Sequence, residues 1–155
     1  MKESTSTALM FGAALFLALA LIGIAVNVFS PATEAAKTAT TDFSSATTEL
    51  KDQKYLIYDN TTISGSQVVN ALRKFEADGK AGNIAINVKT GKNTAGTWYY
   101  NNFSPTGGIS GGGTGTKPTN VNISTDNEYV NPSGMFKATV ERDNNSVIRA
   151  ITFAQ

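Results

Sequence analysis

Residues Ala8 to Phe29, ALMFGAALFLALALIGIAVNVF, carry no charge and only one strongly polar side chain, Asn27. A helix rises about 1.5 Å per residue, so this run reaches roughly 33 Å, enough to cross the hydrocarbon layer of a bilayer. Apolar on every side, it must be housed in lipid or in an equally dry protein environment. Three housings are open. A cleavable secretory signal has a basic start and an apolar run of about 7–15 residues. Met1-Lys2-Glu3 is barely basic, the run is too long, and Ser30-Pro31-Ala32 is a poor exit, so the segment is expected to stay on the chain. A permanent transmembrane anchor fits the length, with Lys2 favouring an inward amino end. The third housing is a filament, in which the helix first sits in the membrane and later packs against copies of itself. Small residues four apart, Ala8 with Gly12 and Ala14 with Ala18, let backbones approach in either setting, although lipid-facing filler has the same composition.

Beyond Pro31 the helix is expected to resume, as long helices do after a proline bend at an interface. Phe29, Ala32, Ala36, Ala39, Phe43, Ala46 and Leu50 recur at alternating steps of three and four, the seam of an amphipathic helix. Thr38, Thr41, Ser45, Thr48, Lys51 and Asp52 take the opposite side. Thr and Ser are mediocre helix formers, so tertiary contact is expected to help, with Phe43 and Leu50 anchoring the seam on a flat sheet. A flexible Thr/Ser/Ala stalk is the competing reading.

About 100 residues remain for a globular part, enough for one modest core. Thirteen basic against twelve acidic residues leave a net charge of +1, which provides no electrostatic footprint for nucleic acid. Cysteine and histidine are both absent, removing the thiol and imidazole nucleophiles, the commonest general base and nearly all zinc and copper chemistry. No enzyme, metal or cofactor is expected on this composition.

The downstream pattern is α+β. Tyr55-Leu56-Ile57-Tyr58 is expected to leave the helix as an apolar, aromatic run, with a turn at Asp59-Asn60. Ser64 with Gln67 makes a capping box for a second helix faced by Val68, Val69, Leu72 and Phe75 and stopped by Asp78-Gly79. Ile84, Ile86 and Val88 alternate with Ala85, Asn87 and Lys89, as in a half-buried strand. Trp98-Tyr99-Tyr100 reads as its partner, Val121 with Ile123 as a short strand, and Met135 to Arg142 with Val147 to Phe153 as a hairpin turning at Asp143-Asn144-Asn145. Three to five antiparallel strands, covered on one face by the two helices, follow. The divisions are 1–30 for the apolar helix, 31–54 for its amphipathic continuation and 55–155 for the head.

Ser104 to Pro118 has six glycines and is expected to lack fixed structure without a partner. It is no phosphate loop, because no glycine-lysine-serine or glycine-lysine-threonine run is present. Asp126 with Glu128, and Asp143 beside Asn144 and Asn145, offer oxygen ligands for calcium, but turn formation explains the same residues and neither stretch has a calcium-loop pattern. The Trp98 run could stack sugars or bases if exposed, or supply core bulk. Asn60, Asn102, Asn122 and Asn144 each begin an N-glycosylation sequon.

A polar start, a very apolar helix, an amphipathic continuation after a proline and a small helix-on-sheet head resemble the type IV pilins and pilin-like proteins. That resemblance implies apolar helices bundled along a filament axis. It also implies an acidic residue near the amino terminus that neutralises the amino group of an adjacent subunit. Glu3 would fill that role against Met1; the family's usual position lies two residues on, at Thr5. Assembly is then expected to rest on Met1, Glu3, Gly12, Phe16, Gly23 and Phe29. The expected function is a structural subunit of an extracellular filament on the cell surface, with copies of itself as partners and the cytoplasmic membrane as its station before assembly. The alternative is a single-pass membrane protein whose exported head binds a partner within a secretion or conjugation apparatus.

Overall fold

Helix α1 runs from Lys2 to Leu56 without interruption, with Pro31 inside it. The computed structural model describes all residues from Met1 to Gln155, and the chain divides into two compact units, Met1–Thr48 and Glu49–Gln155. The polar stretch of α1 holds its helix by satisfying its hydroxyls internally. Thr33, Thr40, Thr41, Thr47 and Thr48 each donate to the carbonyl four residues back, at 2.7–3.0 Å. Asn27 does the same, donating through Nδ2 to the Gly23 carbonyl at 2.9 Å, which lowers the cost of the one strongly polar side chain in the apolar run.

The expected anchor Leu50 does not enter the core of the head. Phe43 and Leu50 are 76% and 68% exposed, and the buried side chain of α1 is Tyr55. The chain is still helical at Tyr55 and Leu56, where an exit had been expected; the turn follows at residues 57–60. Periodicity identifies an apolar seam but not which side of a helix is covered, and in the last turns of α1 the covered side is the one that carries Tyr55. Its ring meets Phe75 at 5.1 Å between centroids, and Tyr58 meets both Phe75 and Phe153.

The head is α+β. Strand β1 (Thr62–Ser64) leads into α2 (Gly65–Lys74), whose capping box forms as the Ser64 and Gln67 pair requires. At Phe75 the helix breaks, and a short α3 (Glu76–Lys80) contains Asp78 and Gly79, which therefore do not end α2. Phe75 is 1% exposed, and burying its ring between Tyr55 and Tyr58 stops the helix four residues early. Strands β2 (Ala85–Lys89), β3 (Thr97–Tyr99), β6 (Met135–Arg142) and β7 (Ile148–Ala154) complete a five-stranded sheet ordered β1-β6-β7-β2-β3. The hairpin of β6 and β7 stands in the expected place, with an irregularity at Glu141/Arg142.

Two expectations about this sheet are corrected. It is mixed and not antiparallel throughout, because β2 and β7 run parallel, Ile86 beside Ile151 and Val88 beside Phe153. Period-two alternation sets which face a residue takes and is silent on strand direction. β2 is also covered on both faces: Ala85 and Asn87 are as buried as Ile86 and Val88. One face holds the main core of α2, Ile86, Val88, Ile151, Phe153 and Phe136. The other holds Ala85, Ala150 and Phe103 under Trp98 and Ile109.

That second layer comes from the glycine-rich segment. β4 (Asn102–Ser104) and β5 (Gly108–Ser110) form a separate antiparallel hairpin, with Phe103 opposite Ile109, so residues 104–118 carry structure where none was expected. Asn101, 2% exposed, ties the hairpin to the head. Its Nδ2 donates to the Gly79 and Ile84 carbonyls, and its Oδ1 accepts from the Gly113 amide at 2.7 Å. Gly113 has φ +78, and a side chain there would meet the Lys80 carbonyl at 2.0 Å; only glycine permits that approach. Val121 and Ile123 form no strand; Val121 is buried, its carbonyl accepting from the Val130 amide, whereas Ile123 is exposed.

Candidate functional site

The residues expected to carry assembly all lie on or at the start of α1, and all are exposed. At about 100° per residue, Gly12, Phe16 and Gly23 fall on one face, Met1 near it, Glu3 opposite and Phe29 about a third of a turn away. The helix thus gathers three of the six and spreads the others around its circumference. No atom lies within 4 Å of a side chain built at Gly12 or Gly23, so that face is open to close approach. Around it Leu9, Met10, Phe11, Leu15, Leu17, Leu19, Leu21, Ile22, Ile24, Val26 and Val28 are each 59–72% exposed. This helix is long and apolar enough to cross a membrane and is compatible with insertion there. Its chemistry is desolvation: an uncharged cylinder that gains free energy from any dry neighbour, at about 25 cal/mol per Å² covered.

No family model, curated protein or solved structure matches this chain.

The head places its polar chemistry in turns and surface pairs. Asp143 accepts from the Asn145 and Val147 amides through Oδ1 and pairs with Arg149 through Oδ2, closing the β6–β7 turn. Burial works against its ionised form, yet Arg149 and the two amides hold the carboxyl below the usual range. Asp126 accepts from the Glu128 amide at 2.8 Å, again a turn. These hydrogen bonds are what the residues considered for calcium do here. Burial, reinforced by Asp126, pushes the Glu128 carboxyl upward.

The aromatic run goes to the core. Tyr99 and Tyr100 are buried, the Tyr100 hydroxyl donating to the Leu72 carbonyl at 3.0 Å, and Trp98 packs into the second layer. Burial pushes the Tyr100 phenol up to about 12, so it stays a neutral donor. The asparagines of all four sequons are exposed. Sequence reasoning missed Asn101 and Tyr55. Nothing local distinguishes Asn101 from the thirteen other asparagines in the chain; for Tyr55 the signal was available, as the bulkiest apolar group at the end of an alanine-rich helix.

Proposed function

We propose that the chain is a structural, non-enzymatic subunit of an extracellular pilus-like filament, stationed in the cytoplasmic membrane and then polymerised with copies of itself through the apolar part of α1. The observation that carries this reading is the exposure of large apolar side chains on every face of that segment. A single docking partner covers one face of a helix, whereas a bundle of like helices covers all of them. At roughly 1–2 kcal/mol per side chain, about 20 such residues outweigh anything a patch on the head could contribute. Glu3 stands exposed at the start of the helix, available to the Met1 amino group of a neighbouring copy, as the pilin resemblance implies.

Shearing cells and imaging the released material tests the proposal. Fibres containing the chain are expected, and Gly12→Asp or Phe16→Asp should abolish them while the head stays folded. Protein that remains with washed membranes, with no fibres at any expression level, would overturn it. A single-pass tether for an exported binding or accessory head is the second reading, favoured by the span-length apolar window of α1, which requires no polymer. Extraction in detergent as a discrete small species, and function retained when the helix is replaced by an unrelated apolar one, would select it.

A further inference from the structure

We infer that the amphipathic part of α1 pairs with the same segment of a second copy, in parallel and in register, as a short left-handed coiled coil. The surface is a row at seven-residue intervals, Phe29, Ala36, Phe43 and Leu50, with Ala32, Ala39, Ala46 and Gln53 three residues further along each repeat. Phe29, Phe43 and Leu50 are 69%, 76% and 68% exposed. Apolar heptads sustained over about four repeats are the signature of a coiled coil, and a strict seven-residue period implies left-handed winding. Phe29, Phe43 and Leu50 in one row against Ala32, Ala39 and Ala46 in the other provide knobs and shallow holes for close approach.

In its last turns, within the unit that begins at Glu49, α1 is held on the side away from the seam. Tyr55 enters the core and Asp52 pairs with Arg142 at 3.2 Å. At about 100° per residue, those two positions bracket the direction opposite the seam. Leu50 consequently faces away from the sheet that was expected to cover it.

Charge selects the occupant and its direction. No charged residue stands in either apolar row, which fits a partner with the same period. In a parallel pair the positions flanking the seam meet as Ala35 with Thr40, Asp42 with Thr47 and Glu49 with Lys54, with no like charges opposed and one attractive pair at each edge. An antiparallel pair would align the row containing Asp42 and Glu49 with itself, acid against acid. Lys54 already meets Asp78 at 2.6 Å, and its ammonium has further donors for a second carboxylate. The pairing goes beyond filament assembly: it uses different side chains, apart from Phe29, and needs no fibre.

The chain contains no cysteine, so single cysteines report the pairing in the full-length protein in its native membranes. Under mild oxidation, Phe43→Cys and Leu50→Cys are expected to give at least about tenfold more disulfide dimer than Thr41→Cys and Thr48→Cys on the outer side, because a disulfide needs β-carbons within about 4.5 Å. Both seam positions are exposed, so the head should melt unchanged. Equal cross-linking at the four positions would overturn the proposal. So would its absence at 43 and 50, whether lipid or an unlike protein then shields them from a water-soluble maleimide. A mixture of the two seam variants in which the 43-to-50 product dominates would reveal antiparallel or staggered pairing and also overturn it. Cross-links without fibres would leave this inference standing and remove the filament, and fibres without seam cross-links would do the reverse.

Discussion

The two units of this chain treat apolar side chains in opposite ways. Along residues 1–48 the large apolar groups are exposed, while in the head Phe136, Phe153, Leu72, Ile86 and Ile151 are completely buried. Both units hold their backbones by internal hydrogen bonds, so hydrogen bonding does not distinguish them. The distinction lies in who supplies the dry surroundings. A single helix cannot fold over itself and has to recruit lipid or other helices, whereas a sheet with a helix on one face and a hairpin on the other encloses its own core.

The most severe way to break this comparison is to separate its halves. A fragment beginning at Glu49 keeps Tyr55 and every strand, and it should be soluble and unfold in one cooperative step. It should lose all membrane retention, since the roughly 1–2 kcal/mol per apolar side chain resides in the missing part. Flotation on a lipid gradient and thermal melting by circular dichroism check both halves of that expectation; a fragment that aggregates unfolded would show the head to depend on the helix.

Single substitutions sharpen the contrast. Phe136→Ala removes a fully buried ring and should cost the head about 3–5 kcal/mol in denaturant unfolding, with membrane retention unchanged. Phe16→Ala should leave the melting of the head where it was. A smaller effect is expected at Asn101, where alanine strands two carbonyls and the Gly113 amide. A loss of about 1–3 kcal/mol and rapid proteolytic nicking in residues 107–115 are the readouts, and resistance to protease would show that the β4–β5 hairpin holds without its tie.

The smallest expected effect depends on pH. The Glu128 carboxyl is raised in the folded head by burial and by Asp126. The folded state therefore binds that proton more tightly than the unfolded chain does. The resulting stabilisation is complete below the ordinary carboxyl range and fades as pH rises through the raised value. Glu128→Gln, which keeps the neutral form, should melt progressively higher than the parent protein as pH rises from about 4 to 7. A gap that stays constant with pH would remove burial of this carboxyl as the cause.

Several elements were legible because their signals are local. The capping box at Ser64 and Gln67, the β6–β7 hairpin around Asp143-Asn144-Asn145 and the continuation of α1 past Pro31 each follow from a few neighbouring residues. The glycine-rich stretch was misread because composition reports chain freedom and not the partners that remove it. Gly113 is held by Asn101 and lies against Lys80, contacts that no local pattern encodes. The anchoring of α1 was misread for a related reason: periodicity identifies an apolar seam, but which side of the helix is covered depends on what stands beside it.

Ala8 to Phe29 determined by itself that this protein needs a dry environment outside its own fold, because a run of uncharged side chains on a helix has no polar face to offer water. The missing histidine and cysteine likewise removed imidazole and thiol chemistry from the chain by composition alone. Only the tertiary structure decided that β2 lies parallel to β7, that the glycine-rich hairpin roofs the second face of the sheet, and that Tyr55 is held while Leu50 is left open. Each of these is a pairing between distant residues, and alternation or composition along the chain is the same whichever partner is taken.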